Sequence, residues 1–150
     1  MLALALAPFA WASDSMPAVR LYDVTTETGM PHLEDNLRYS ITHEKRCLGP
    51  QDFARAFPVL EHPSLRGCHL DPAAQSDAAL EYRLVCEGNH GTTGQAVWQL
   101  GERRVTGTLY VKLGGKNMTF YQWIFARSIG EKLAASETCG TVSHTVHDSH

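Results

Sequence analysis

The densest run of metal-ligating side chains is the C-terminal stretch, where His144, His147 and His150 stand with Asp148 inside seven residues. Neutral imidazoles bind Cu, Ni or Zn, and such a run can wrap an ion without a preformed cage. The competing expectation is a polar terminus that binds nothing, since the outer groups that orient metal ligands are not visible in a linear sequence. The other histidines, His32, His43, His62, His69 and His90, are scattered, and none falls in a His-Glu-x-x-His pattern that would set two ligands and a base on one helix face. His43 and Glu44 are neighbours on a strand-like run, so they point to opposite faces and cannot act together.

Nucleophile chemistry leaves no local signature. There is no Gly-x-Ser-x-Gly elbow and no phosphate-binding loop, and the glycines from Gly88 to Gly94 lack the Lys and following helix that a phosphate cradle needs. That segment reads as a hairpin loop. An enzyme built on residues dispersed through the chain is the last of the readings. Lys45-Arg46 and Arg103-Arg104 are the adjacent basic pairs, and a net charge of −3 offers no footprint for nucleic acid.

The elements that would position any site follow from length and composition. A chain of 150 residues with 43% hydrophobic and 19% charged residues makes one domain with a real core. Residues 1–12 form an apolar run ending in Ala10-Trp11-Ala12, the small-x-small pattern of a cleavage site, which predicts a signal peptide cut after Ala12. Its start lacks the usual basic residues, as in a shortened leader; the alternative is an N-terminal strand or helix. Residues 13–140 are expected to form a single disulfide-stapled β domain, and 141–150 a flexible tail. No run reaches the roughly 20 apolar residues of a membrane helix, so the mature chain should be soluble and exported, in a periplasm or outside the cell.

Four cysteines fit export, where an even count reads as disulfides. None forms a Cys-x-x-Cys pair, which weighs against a zinc knuckle or a redox motif. Cys68 and Cys86 lie symmetrically about a Ser76-Asp77 turn signal and should face each other across a hairpin. Cys47 and Cys139 pair by elimination.

Most of the chain alternates with period two. Val19 to Glu27, Asn36 to Cys47, Arg66 to Leu70, Ala79 to Glu87, Thr93 to Leu100, Arg104 to Leu113 and Asn117 to Ile129 are strand candidates. They predict an all-β antiparallel meander, curved or partly closed into a barrel-like sheet. One short helix, Pro50 to Phe57, is expected to pack on it: Pro50 suits a first turn, Asp52 the positive helix start, and Pro58 a stop. Phe53 and Phe57 would give this helix its apolar face.

Turn lengths set the register. A two-residue loop at Gly101-Glu102 pairs Leu100 with Arg103, Trp98 with Val105 and Ala96 with Gly107. A three-residue loop at Gly114-Gly115-Lys116 pairs Leu109 with Tyr121, Gly107 with Trp123 and Val105 with Phe125. On these registers Trp98, Tyr121, Trp123 and Phe125 are core, with Gly107 making room for Trp123. The opposite face then carries Tyr110, Met118, Phe120 and Ile124 as a second apolar patch, either covered by the helix or a terminus, or free to take a partner.

Several of these features together resemble one family. A strand ending in Thr25-Thr26-Glu27 with Met30-Pro31 after it, the element Arg46-Cys47-Leu48-Gly49-Pro50-Gln51-Asp52, the single cysteines Cys68 and Cys86, and the closing Arg127-Ser128-Ile129-Gly130 resemble bacterial domain-of-unknown-function family 3617. The likeness runs from about Val19 to Cys139. Two features depart from the family pattern: Leu21-Tyr22-Asp23 replaces an opening Gly-x-Trp, and Cys139 lies well beyond Gly130. The resemblance implies an exported, disulfide-bonded β domain with no assigned activity and no catalytic residues to transfer.

The functional expectation is a non-enzymatic periplasmic binding or accessory module that presents the Tyr110, Met118, Phe120 and Ile124 patch to another protein. The alternatives are a carrier of a small apolar ligand inside the curved sheet, and metal binding by the histidine tail.

Overall fold

The structure, a computed structural model, describes residues 19–30, 39–88, 91–115, 118–129 and 139. Seven strands form one antiparallel sheet: β1 Arg20–Gly29, β2 Tyr39–Leu48, β3 Cys68–Gln75, β4 Ala79–Cys86, β5 Thr93–Leu100, β6 Arg104–Leu113 and β7 Met118–Ser128. Their spatial order is β2-β1-β7-β6-β5-β4-β3. The meander from β3 to β7 is thus extended by the β1-β2 hairpin, which joins through β1 on β7. β2 and β3 are edges, so the sheet is open rather than closed into a barrel.

A single sheet must bury one face against a second layer. Among the described residues that layer is the strap of residues 49–67, which leaves β2 at one edge, crosses the inner face and enters β3 at the other. Here the structure differs from the expected helix over Pro50 to Phe57. The strap is three 3-10 helical turns, Phe53–Arg55, Pro58–Glu61 and Pro63–Leu65. Proline forces the residue before it out of the helical region, and Phe57 is accordingly extended (φ −83°, ψ 109°), which ends the first turn before an α-helix can nucleate. The expected packing survives. The rings of Phe53 and Phe57 lie 4.9 and 5.1 Å from that of Trp98. The Trp98 indole N–H donates to the Phe53 carbonyl at 3.0 Å.

The core is the inner face plus this strap. Val24, Trp98, Leu109, Val111 and Ile124 from the strands and Phe57 and Leu65 from the strap are fully buried. Gly107 pairs directly with Trp98, and a Cβ there would stand 2.7 Å from the indole ring, so the small residue makes room for Trp98 rather than for Trp123. Both cysteine pairs form as expected, Cys68 with Cys86 and Cys47 with Cys139. β3 runs on to Gln75 through a bulge at Pro72, which lets a residue without an N–H stay in an edge strand.

Two registers differ from expectation, with unequal consequences. Between β5 and β6, Trp98 pairs with Gly107 and Leu100 with Val105, a shift of two residues that leaves every side chain on its expected face. Between β6 and β7, Leu113 pairs with Met118 and Gly107 with Ile124, because four residues rather than three intervene. That slip of one residue exchanges the faces of β7. Phe120, Gln122, Ile124 and Ala126 enter the core, while Tyr121, Trp123 and Phe125 turn outward.

The buried amide explains why this register holds. Gln122 accepts from the Val59 backbone N–H at 3.2 Å and donates to the Thr28 hydroxyl at 2.8 Å, so it ties the strap to the sheet and leaves no polar atom of its own unpaired. Apolar residues on both faces of β7 leave the choice to such pairing. Phe120→Ala is therefore expected to lower stability by about 3–5 kcal/mol, and Phe125→Ala by less than about 1 kcal/mol, in urea unfolding. The reverse order would restore the register with the shorter turn.

Candidate functional site

The residues singled out for chemistry do not converge. His144, His147 and His150 lie outside the described residues, as do His32 and His90. His43 shares a 2.9 Å hydrogen bond with the Thr25 hydroxyl, and the adjacent Glu44 points to the other face, 3.5 Å from Arg46. The His62 ring accepts from the Ser64 backbone N–H, and His69 pairs with Asp71 at 2.9 Å on the exposed edge strand. Among the described residues no three His, Cys, Asp or Glu side chains come together as a metal would need. All four cysteines are in disulfides.

The patch expected at Tyr110, Met118, Phe120 and Ile124 is not one surface. Phe120 (5% exposed) and Ile124 (0%) are core, and Met118 is half-buried on the same inner side. Tyr110 alone stands outside, 55% exposed. The slip in the β6-β7 register divides them. Trp98 and Trp123 likewise lie on opposite faces, so no cavity can open between them, and the space over Trp98 is filled by Phe53 and Phe57. A cleft of about 300 Å³ opens instead at the strand ends, over Tyr22, Phe53, Leu100 and Val105, with Arg20, Asp77 and Glu102 at its rim.

The sheet pairing assembles a different surface on the outer face. One row across the strands runs Tyr39, Gly29, Tyr121, Tyr110; the next runs Ile41, Glu27, Trp123, Thr108; the next His43, Thr25, Phe125, Thr106. Trp123 and Phe125 are 39% and 45% exposed, and Tyr39 and Ile41 are exposed as well. Tyr121 and Trp123 are in contact, with ring centroids 4.8 Å apart. Tyr121 lies across β1: a Cβ on Gly29 would clash with its ring, so only glycine allows this approach. The Tyr39 phenol donates to Glu27, which raises its pKa above the usual tyrosine value.

A fourth row closes this surface with charge. Lys45, Asp23, Arg127 and Arg104 follow one another across β2, β1, β7 and β6. Arg127 reaches Asp23 at 3.8 Å, whereas Arg104 has no ion-pair partner among the described residues and stands directly opposite Arg127. Asp23, Thr25, Arg104, Phe125 and Arg127 line a groove of about 320 Å³.

The sequence carried a signal for this face. β7 has an aromatic or aliphatic residue at nearly every position from Phe120 to Ala126, so one apolar set must end up outside whichever register forms. No family model, curated protein or solved structure matches the chain.

Like charges directly opposed across strands are destabilising. Arg104→Glu replaces that repulsion by an opposite-charge pair, and is expected to raise stability by about 0.2–1 kcal/mol at low salt. The gain should fade in about 1 M salt. An unchanged or lowered melting temperature at low salt would contradict the proximity of the two guanidinium groups.

Proposed function

We propose that the chain is an exported, non-enzymatic binding module whose working surface is the outer face of the sheet. One observation carries this reading: Tyr39, Ile41, Tyr110, Trp123 and Phe125 stay exposed side by side while the inner face is covered. Several large apolar side chains exposed on one sheet face mark an interaction site. Its composition agrees, because Trp, Tyr and Arg are the residues that concentrate binding energy.

Two disulfides belong to an oxidising environment outside the cytoplasm. With the leader-like residues 1–12 they support export to a periplasm or beyond. The likeness of the Arg46 to Asp52 element and the single cysteines to family 3617 is part of the same reading. No helix among the described residues is long and apolar enough to cross a membrane.

Hydroxyl-radical labelling of the purified protein and of cells that make it tests the surface directly. Trp123, Phe125 and Tyr110 should label strongly in the purified protein and be protected several-fold in the cell, with the exposed edge residue His69 labelling equally in both. Equal labelling of Trp123 in the two samples would remove the outer face as the working surface.

A further inference from the structure

The charge and aromatic pattern of the outer face point to the class of its ligand, an inference that rests on that face being the working surface. We propose that the track from Arg104 and Arg127 along β7 to Tyr121 binds one anionic amphiphile, its acidic head between the two guanidinium groups and its apolar chain over Phe125 and Trp123.

Charge complementarity sets the head. The closing row holds three cations, Lys45, Arg127 and Arg104, against the single carboxylate of Asp23, on a chain whose net charge is −3. Arg127 is already drawn to Asp23 at 3.8 Å, while Arg104 faces it without a partner among the described residues. A carboxylate or phosphate between them relieves the repulsion and gains charge-assisted hydrogen bonds from two forked donors. The Thr25 hydroxyl lines the same groove.

The rest of the track suits a chain. Arg127, Phe125, Trp123 and Tyr121 follow at every second position of β7, a span of about 20 Å at the rise of a strand. Thr106 and Thr108 on β6 and Thr25 and Gly29 on β1 are low flanking positions, while Glu27, opposite Trp123, is turned to the Tyr39 phenol on β2. The rings of Phe125, Trp123 and Tyr121 therefore run along β7 from the cations, with Tyr110 beside Tyr121 at the far end, which matches a headgroup followed by a medium-length alkyl chain. The head groove of about 320 Å³ is within the range of small-ligand sites.

The test is calorimetric titration of the full chain with dodecanoate below its micelle concentration, with 1-dodecanol as the uncharged twin and Trp123 emission as a second readout. Saturable one-to-one binding of dodecanoate is expected, with a change in Trp123 emission and at least tenfold weaker binding of the alcohol. Arg104→Gln and Arg127→Gln should each weaken dodecanoate on the order of tenfold. Phe125→Ser should weaken both ligands, and circular dichroism melts establish that these variants remain folded. Absence of saturable binding, equal affinity for the alcohol, or unchanged affinity in the Arg104→Gln/Arg127→Gln double variant overturns the proposal. Binding confined to phosphatidylglycerol vesicles overturns it too, in favour of a bilayer surface. If dodecanoate fails while Trp123 is still protected in the cell, the ligand class falls and the binding face stands; if both fail, both fall.

Discussion

The structure depends on the anchoring of the strap across the inner face by Trp98. Among the described residues the seven-stranded open sheet has no second sheet to pack against, and the connection from β2 to β3 supplies that layer within residues 49–67. Trp98 does this with one side chain: its rings meet Phe53 and Phe57, and its N–H holds the Phe53 carbonyl. Gly107 provides the space beneath it. Gln122 adds a second tether at Val59, so two buried polar groups of the sheet satisfy backbone groups of a segment that its prolines keep from forming a regular helix.

This division of labour leaves the outer face uncovered by the strap. The strap is long enough to cross the sheet once, on one side. The aromatic residues of β7 that cannot enter the core therefore gather outside with Tyr110 of β6 and Tyr39 and Ile41 of β2. Their cross-strand contacts, Tyr121 on Gly29 above all, help to hold β1 against β7. An aromatic side chain already packed against its neighbours has less freedom to lose on binding, as the proposed use of this face requires. The opposed Arg104 and Arg127 are a local cost to stability that the nearby Asp23 offsets in part.

Strand positions were largely legible in the sequence, because alternation and turn residues are local signals. β5 and β6 begin and end where their patterns do, and the Ser76-Asp77 turn places Cys68 opposite Cys86. The strap was legible as an apolar segment but not in its geometry, since the constraint of Pro58 on Phe57 competed with a plausible helical spacing. The site was misread through one turn. Glycines at 114 and 115 permit loops of three or four residues, and β7, apolar on both faces, offers no pattern to choose between them. The deciding residue, Gln122, looks like a surface residue until its partners on the strap and on β1 are known. With Gln122 buried on the strap side, Phe120 and Ile124 leave the expected patch and enter the core.

The sorting of the two tryptophans is the central claim, and acrylamide quenching in a Trp11→Phe background tests it most directly. The account predicts two emitters: a blue-shifted, quencher-resistant Trp98 and a red-shifted, accessible Trp123. In Trp11→Phe/Trp123→Phe protein the quenchable component should vanish and the resistant one remain. If that substitution removes the resistant component instead, Trp123 is the core residue, and both the register of β7 and the outer binding face are wrong.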